Sequence, residues 1–520
     1  MRKLELIKQK IFTADSNINY WIILPTLILG SSLSLINYTI LMLASSTLVA
    51  TFSVDTYDVI WVTPLFGFSL IMTKLSFYYL DARFGGRKIY LWGTVITLLG
   101  ALVCLFAWNF WLFLSGRILQ GIGAGLLFGS ADSYIFRYFP DSKRLFGYGL
   151  WAICVAPASV VGVILSGYLL QYLGLQSIFY IPIPFFVLTF VGAYFCFPAI
   201  ASPIQRFSFN WVSCSLFGTG IFSFLWAAIY FNFYGWNSIQ VLGMFYISFG
   251  TMILYFLYDK KSKFSLIDFE YFKSSSFVVA LLGTMLCVSI MGFGRLFILQ
   301  ILLNYQGYMP ADVSYLVIPS VFTLLLGLGF ATLVERLLNT KISILATSAI
   351  LCLSSSLPLY WDANTSATTA MVTLLLVNFA FGMSLQSLTN IALSNMKVPR
   401  CSGAINLLGI FRFIAAVLGS VFFLSSTTGR RILLTGYFSD NLQSYSPVVQ
   451  AQLLAWAKEF IPLGYPKSAA ALPLISAFQK QVLIATYDNM LLWVFYTSLL
   501  FVGLSIFVCV LPLKKQKFLK

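Results

Sequence analysis

Long apolar runs alternate along this chain with short gaps, and every second gap carries the lysines and arginines. No other feature narrows the fold as far. A run of about 20 apolar residues crosses a ~30 Å hydrocarbon core as a helix, and basic short loops stay on the cytoplasmic face. The runs centre near residues 35, 70, 98, 125, 158, 188, 221, 249, 288, 324, 350, 381, 413 and 500, which predicts fourteen crossings. Basic residues fill the N-terminal stretch (Arg2, Lys3, Lys8, Lys10) and then alternate loops: Arg83/Arg87/Lys88, Arg137/Lys143/Arg144, Arg206, Lys260/Lys261/Lys263/Lys273, Arg336/Lys341 and Lys397/Arg400. They return at Lys514, Lys515, Lys517 and Lys520. The intervening loops up to residue 427 hold Asp55, Asp58, Asp312 and Asp362 with no lysine or arginine. The alternation never inverts, so both termini are expected in the cytoplasm, with the chain in a bacterial inner membrane.

Composition agrees with a lipid solvent. The chain is 59% hydrophobic and 9% charged, outside the range of soluble domains. Its net charge of +16 follows the loops, so it reads as topology and lipid contact rather than nucleic-acid binding. Trp61, Trp108, Trp111, Trp236 and Trp361 fall at expected outer helix ends, and Trp21, Trp92, Trp151 and Trp211 at inner ends, as interfacial belts require. The first run is too long for a cleaved signal and further spans follow it, so it is expected to be retained. The eight cysteines lie in or near spans and read as small apolar packing residues. No histidine is present, which excludes histidine metal sites and proton relays; no metal, cofactor or catalytic group is expected, nor enzyme chemistry.

Three blocks are expected: residues 1–200 with six spans, 201–274 with an inserted pair and its linkers, and 275–520 with the last six. The segment 428–488 is expected to leave the membrane as an extracytoplasmic helical hairpin, with helical patterns over Pro447–Phe460 and Lys467–Asp488. Such a piece is a lid, a docking surface or a spacer.

The fourth run reads Gly116-Arg117-Ile-Leu-Gln120-Gly121, and Gly121, Gly125, Gly129 and Ser133 recur every four residues. That spacing stacks small residues on one face and lets a neighbouring helix approach closely. A second ladder runs through Ala158, Gly162 and Ser166, beside Gly167. Four basic residues, Lys74, Arg117, Arg295 and Arg412, fall inside runs against a single acid, Asp132. An intramembrane charge is costly and faces a bundle interior or a water-filled cavity, unless it snorkels, which Lys74 and Arg295 are long enough to do. Asp132 has Arg137, Lys143 or a loop arginine as expected partners. Asn37, Gln120, Gln300, Asn304, Asn378, Gln386 and Asn390 are uncharged hydrogen-bonding groups in or near the spans.

These motifs resemble the 14-span EmrB/QacA-type drug:proton antiporters of the major facilitator superfamily. Arg117-x-x-Gln120-Gly121 is similar to that group's fourth-helix R-x-x-Q-G, and Gly162-Val-Ile-Leu-Ser166-Gly167 resembles its antiporter signature G-P-x-L-G-G. Asp81, Arg83, Gly85, Arg87 and Lys88 resemble the conformational loop motif G-x-L-A-D-R-x-G-R-K, and Ser265-Leu-Ile-Asp268-Phe the approach to the ninth span. The resemblance implies an all-α major facilitator fold of fourteen transmembrane helices, two six-helix halves plus an inserted pair. It implies a secondary efflux transporter working by alternating access, of the multidrug type or dedicated to one metabolite. It also raises a periplasmic adaptor of the EmrA type and an outer-membrane channel as partners.

One departure bears on mechanism. The group's first helix carries an aspartate implicated in proton coupling, whereas this chain reads Ile36-Asn37-Tyr38-Thr39-Ile40-Leu41-Met42-Leu43-Ala44, and asparagine does not titrate. The excess of intramembrane cations favours an anionic cargo such as a siderophore, driven by the membrane potential. Arg117, Gln120, Asn37, Lys74, Asp132, Arg295 and Arg412 are the candidate substrate and coupling residues.

Overall fold

A computed structural model describes residues 20–197, 209–262, 265–361, 366–396, 398–441 and 471–510. The apolar runs become helices because only a helix satisfies its own backbone in lipid. They are α1 (Tyr20–Thr39), α2 (Thr56–Phe84), α3 (Gly86–Leu105), α4 (Phe110–Tyr138), α5 (Phe146–Tyr172), α6 (Ser177–Cys196) and α7 (Trp211–Tyr234). There follow α8 (Ile239–Lys261), α9 (Ser275–Leu303), α10 (Pro310–Leu337), α11 (Thr340–Tyr360), α12 (Ala367–Leu393), α13 (Val398–Asn441) and α14 (Ala471–Val510). Thirteen contain a stretch long and apolar enough to cross a membrane, and α1 supplies a shorter apolar stretch, Ile23–Thr39. No strand occurs among the described residues.

Local chemistry sets several boundaries. The side chains of Asn109, Asn210, Ser238 and Ser366 each accept a hydrogen bond from a backbone N–H in the first turn of α4, α7, α8 and α12, which satisfies a donor that the helix leaves orphaned. Gly85 turns the chain between α2 and α3 at φ 85°, a conformation that a side chain disfavours.

Packing repeats between the first six and last six helices. The glycine ladder of α4 lies on α2: a Cβ at Gly125 would stand 2.6 Å from the Leu70 carbonyl oxygen, and one at Gly121 or Gly129 would strike Phe66 or Phe77. In the last six, Gly327 of α10 and Gly382 of α12 pack just as closely on Phe379 and Leu324. The groups meet along a seam. At one end Gly167 of α5 abuts Pro310 and Ser314 of α10, and the Ala311 N–H donates to Gln171 Oε1 at 2.8 Å. Toward the other end, which carries the Arg83–Lys88 and Arg336–Lys341 turns and is called here the basic end, α2 meets α13: Gly67 faces Val417, and Gly409 faces Lys74. The inserted α7 stands against both α2 and α13, through Trp61 Nε1–H to the Tyr230 hydroxyl at 3.2 Å and Ser425 Oγ–H to the Ile229 carbonyl at 2.6 Å. Helix α8 packs on α7, and Ile239, Tyr246, Phe249, Ile253 and Leu257 remain exposed, as lipid-facing residues do.

Two expectations need correction, on the first run and on two tryptophans. The first run does not stay helical through Ala44: α1 ends at Thr39, and a short helix Ser45–Phe52 follows a turn. The segment 428–488 is entered by helix from both sides: α13 continues unbroken to Asn441 and α14 is already helical at Ala471, while the Pro447–Phe460 pattern and the first residues of Lys467–Asp488, up to residue 470, lie outside the described residues. At 1.5 Å per residue the 44-residue α13 is about 66 Å long, well beyond a ~30 Å hydrocarbon core. Trp61 and Trp151 are also not belt residues: Trp61 is buried, and Trp151 donates to Ser31 Oγ at 3.1 Å.

Gly125→Leu is expected to destabilise the protein by about 3 kcal/mol, because its Cβ alone would stand 2.6 Å from the Leu70 carbonyl oxygen and 2.7 Å from Thr73 Cβ, neither of which can swing aside. Gly243→Leu on α8, which faces open space, is expected to leave the unfolding temperature in detergent unchanged.

Candidate functional site

Arg117 is fully buried on α4. One terminal nitrogen donates to Gln120 Oε1 at 2.7 Å, the other to the Asn37 carbonyl oxygen at 3.1 Å, and the guanidinium lies 4.6 Å from the centre of the Phe66 ring. The R-x-x-Q spacing thus works within a single helical turn, three residues apart. Asn37 takes part through its backbone. Arg117 Nε finds no hydrogen-bond partner. Tyr38 lies close to both Arg117 and Ser420 of α13, which places this group at the seam.

Arg295 does not snorkel. It is 3% exposed, donates to Asn378 Oδ1 of α12 at 2.5 Å, and reaches across the seam to the Ser159 carbonyl oxygen of α5 at 3.4 Å. Arg412 of α13 donates to Thr389 Oγ1 at 2.8 Å and toward the Leu385 carbonyl oxygen at 3.4 Å, joining α13 to α12. Both leave Nε without a partner. Among the described residues, the hydrogen bonds of Arg117, Arg295 and Arg412 go to amides, a hydroxyl and carbonyls, with no ion pair to a carboxylate. Two buried guanidinium groups, Arg117 and Arg295, and a half-buried one, Arg412, therefore stand without a counter-charge.

The other two buried charges cancel each other. Lys74 Nζ lies 3.0 Å from Asp132 Oδ2, and both residues are buried. The expected partners of Asp132 were Arg137, Lys143 or a loop arginine, and the expected alternative for Lys74 was snorkelling; the facing positions of α2 and α4 override both. Arg137 instead pairs with Asp81, which also accepts from Ser133 Oγ at 2.9 Å. The loop motif is held at this point: Gly85 N–H donates to the Asp81 carbonyl, and Gly86 packs on the Asp81 carboxylate and the Tyr134 ring. Arg83 donates to the Tyr79 hydroxyl at 2.8 Å, Arg87 to the Tyr194 carbonyl oxygen, and Lys88 is exposed. In the second ladder Gly162 abuts Ile36 and Thr39 of α1, whereas Ser166 is buried with its hydroxyl unpaired.

Asp132 is not the only acid buried in a helix. Asp81 and Asp259 are buried as well, and Glu335 accepts from Asn390 Nδ2 at 2.5 Å. Asp259 gathers Ser213 Oγ at 2.7 Å, the Tyr255 hydroxyl at 3.2 Å and the Leu266 N–H at 3.1 Å, pinning α7 and the linker to the end of α8. In the sequence Asp259 stands directly before Lys260 and Lys261, and nothing local marks it as buried. Phe66, Ser159, Gly409 and Phe413 were likewise missed, since an apolar or small residue carries no signal until its neighbour is known. A small cavity of about 20 Å³ lies between α9, α11, α12 and α14, lined by Ile290, Phe297, Ser355, Pro358, Val377 and Leu491; it holds little more than one water.

A family model described as the Major Facilitator Superfamily matches residues 27–420. The chain is 27% identical over 319 residues to the "Methylenomycin A resistance protein" of Bacillus subtilis (strain 168), covering 60% of this chain and 67% of that one. It is 24% identical over 405 residues to "Multidrug resistance protein 3" of the same organism, covering 76% and 77%. The crystal structure of the POT family transporter PepTSo shares the fold at TM-score 0.57 and 13% identity, covering 94% of this chain and 98% of that chain. The chain belongs to the major facilitator superfamily and is a multi-pass membrane transporter of small molecules.

Asn378→Leu is expected to cost about 2 kcal/mol in detergent unfolding, because a buried guanidinium loses its shortest hydrogen bond. Adding Arg295→Met is expected to recover most of that loss.

Proposed function

We propose that this transporter exports a small anionic molecule from the cytoplasm of a bacterium by alternating access, the cargo binding between the first six and last six helices. The supporting observation is the set of three guanidinium groups, Arg117 and Arg295 buried and Arg412 half-buried, that only neutral groups contact. A buried charge without a counter-charge is costly, and a carboxylate or phosphate offered by a cargo is the group that relieves it, through charge-assisted bonds to the fixed guanidinium fork. The unpaired Nε atoms of all three are donors still available. A lipophilic cation would meet the opposite field.

In this reading the basic end faces the cytoplasm, the blocks are 1–200, 201–274 and 275–520, and the seam opens alternately at the Lys74–Gly409 end and the Gly167–Ser314 end. Moving each negative charge outward down an inside-negative potential releases roughly 2.3 kcal/mol per 100 mV. The ends of α13 and α14 at Asn441 and Ala471 then project on the outer side, where an adaptor of the EmrA type would dock. The printed names of the relatives favour a second reading, multidrug export.

Orientation is checked by cysteine labelling: Asn237→Cys is expected to react with an impermeant thiol reagent in intact cells and Lys261→Cys to be shielded. Cargo charge is checked by thermal stabilisation of the purified protein with anionic, neutral and cationic compounds. Anions are expected to stabilise it, and Arg117→Gln or Arg295→Gln to weaken their binding by roughly 10- to 100-fold. Stabilisation by cations alone, unaffected by these substitutions, would assign the protein to the multidrug reading.

A further inference from the structure

The Lys74–Asp132 pair is not used by the anion site, and it lies where α2 and α4 meet α13 toward the basic end. Both partners belong to the first six helices, but their cover comes from α13 in the last six. Lys74 Nζ lies 5.9 Å from the centres of both the Phe128 and Phe413 rings, and a Cβ on Gly409 would stand 2.9 Å from it. Phe128 and Phe413 themselves meet edge to face at 5.1 Å. When α2 and α13 part at the basic end, the pair loses its cover and meets water. When they close, the pair is sealed at 3% and 5% exposure. Closure over two opposite charges in contact is tolerable, whereas closure over one lone charge is not.

We infer that Lys74 and Asp132 form the proton-coupling site of this transporter, and that α13 closes over them through Gly409 and Phe413 only while their charges cancel. The inference rests on the alternating-access reading above and supplies the titrating acid that Asn37 cannot be. The step is a proton binding: a proton adds to a carboxylate oxygen of Asp132, the carboxyl becomes neutral, and Lys74 keeps its ammonium charge. One positive charge then lies beneath Phe413 and Gly409, which favours parting of the basic end. Once that end is open, the proton leaves to cytoplasmic water, the pair reforms, and the gate closes again. The other titratable groups facing Asp132 are Tyr78 from α2 and Tyr148 from the chain leading into α5; Asp81, Arg137 and Tyr271 stand around Tyr78, and Arg144 beside Tyr148. Tyr148 donates its hydroxyl proton to the Asp132 backbone carbonyl at 2.7 Å, and Asp81 is engaged by Arg137 and Ser133.

The test reads the gate without cargo. Spin labels at Lys143→Cys and Arg336→Cys, exposed on opposite sides of the basic end, are placed in full-length protein whose eight native cysteines have been replaced. Pulsed dipolar spectroscopy in lipid nanodiscs then follows their separation with pH. In the otherwise native protein the long-distance population is expected to grow as pH falls. Asp132→Asn leaves Lys74 alone and is expected to hold the gate open at every pH. Lys74→Met leaves the carboxyl alone, neutral only when protonated, so its pH dependence is expected to reverse: closed at low pH, open at high pH. The paired replacement Lys74→Met/Asp132→Leu is expected to stay closed throughout, and it keeps the test available if a single variant does not fold. A merely structural ion pair would not reverse the sign. Retention of native pH dependence by Asp132→Asn, by Lys74→Met or by the paired replacement overturns the inference. Because no cargo is present, that result leaves the anion reading standing, which is judged separately by the Arg117 and Arg295 variants.

Discussion

The close approach of α2 to α4 is the constraint on which the rest of the structure depends. Three glycines one turn apart on α4 bring the α2 backbone into contact, so near that a Cβ at Gly125 would stand 2.6 Å from the Leu70 carbonyl oxygen and 3.2 Å from the Lys74 nitrogen. With α2 at that distance, its side chains fall opposite those of α4 in register. Phe66 covers Arg117, Lys74 meets Asp132, and Asp81 meets Ser133 and Arg137. In lipid no hydrophobic force draws helices together, so tight packing and polar contacts must do it. Here the same glycines supply the packing and align the polar groups.

Asp81, Asp132 and the arginines Arg117, Arg295 and Arg412 fall into two classes. Asp132 and Asp81 each have a basic partner in contact, so these pairs are neutral as built. Arg117, Arg295 and Arg412 have hydrogen bonds and, in one case, an aromatic face, which orient a guanidinium without neutralising it. The first class suits a group whose charge changes during the cycle. The second suits one whose charge is always present and awaits a ligand. A simple count of basic and acidic residues along the chain merges the two; pairing Lys74 with Asp132 leaves three arginines without a counter-charge.

Much of the fold was legible because membrane insertion reads the sequence as hydropathy reads it, over lengths near that of a helix. The centres of all fourteen runs fall within the described helices. The ends were less legible. Nothing in composition marks Thr39 as the last residue of α1, and the polar residues after Thr427 hid a helix that continues to Asn441. Side-chain partners were least legible of all. The fourth-helix arginine and its glutamine could be read together because they lie one turn apart, but Lys74 and Asp132 are 58 positions apart and meet only through the rotation of two helices. Trp61 and Trp151 stand where belt residues stand in the sequence and nevertheless point inward, to Tyr230 and Ser31.

In the proposed reading, charge crosses the membrane in every cycle: negative charge outward with the cargo, and a proton inward through Asp132. Both movements run down an inside-negative potential, so their charges add. The most direct test is the number of charges moved per cargo molecule, measured as current on a solid-supported membrane alongside flux of the same labelled compound, with pH equal on both sides. The account predicts at least two charges per singly charged anion, and transport driven by an imposed potential alone. A ratio of zero, as expected for exchange of a proton against a monovalent cation, would contradict it.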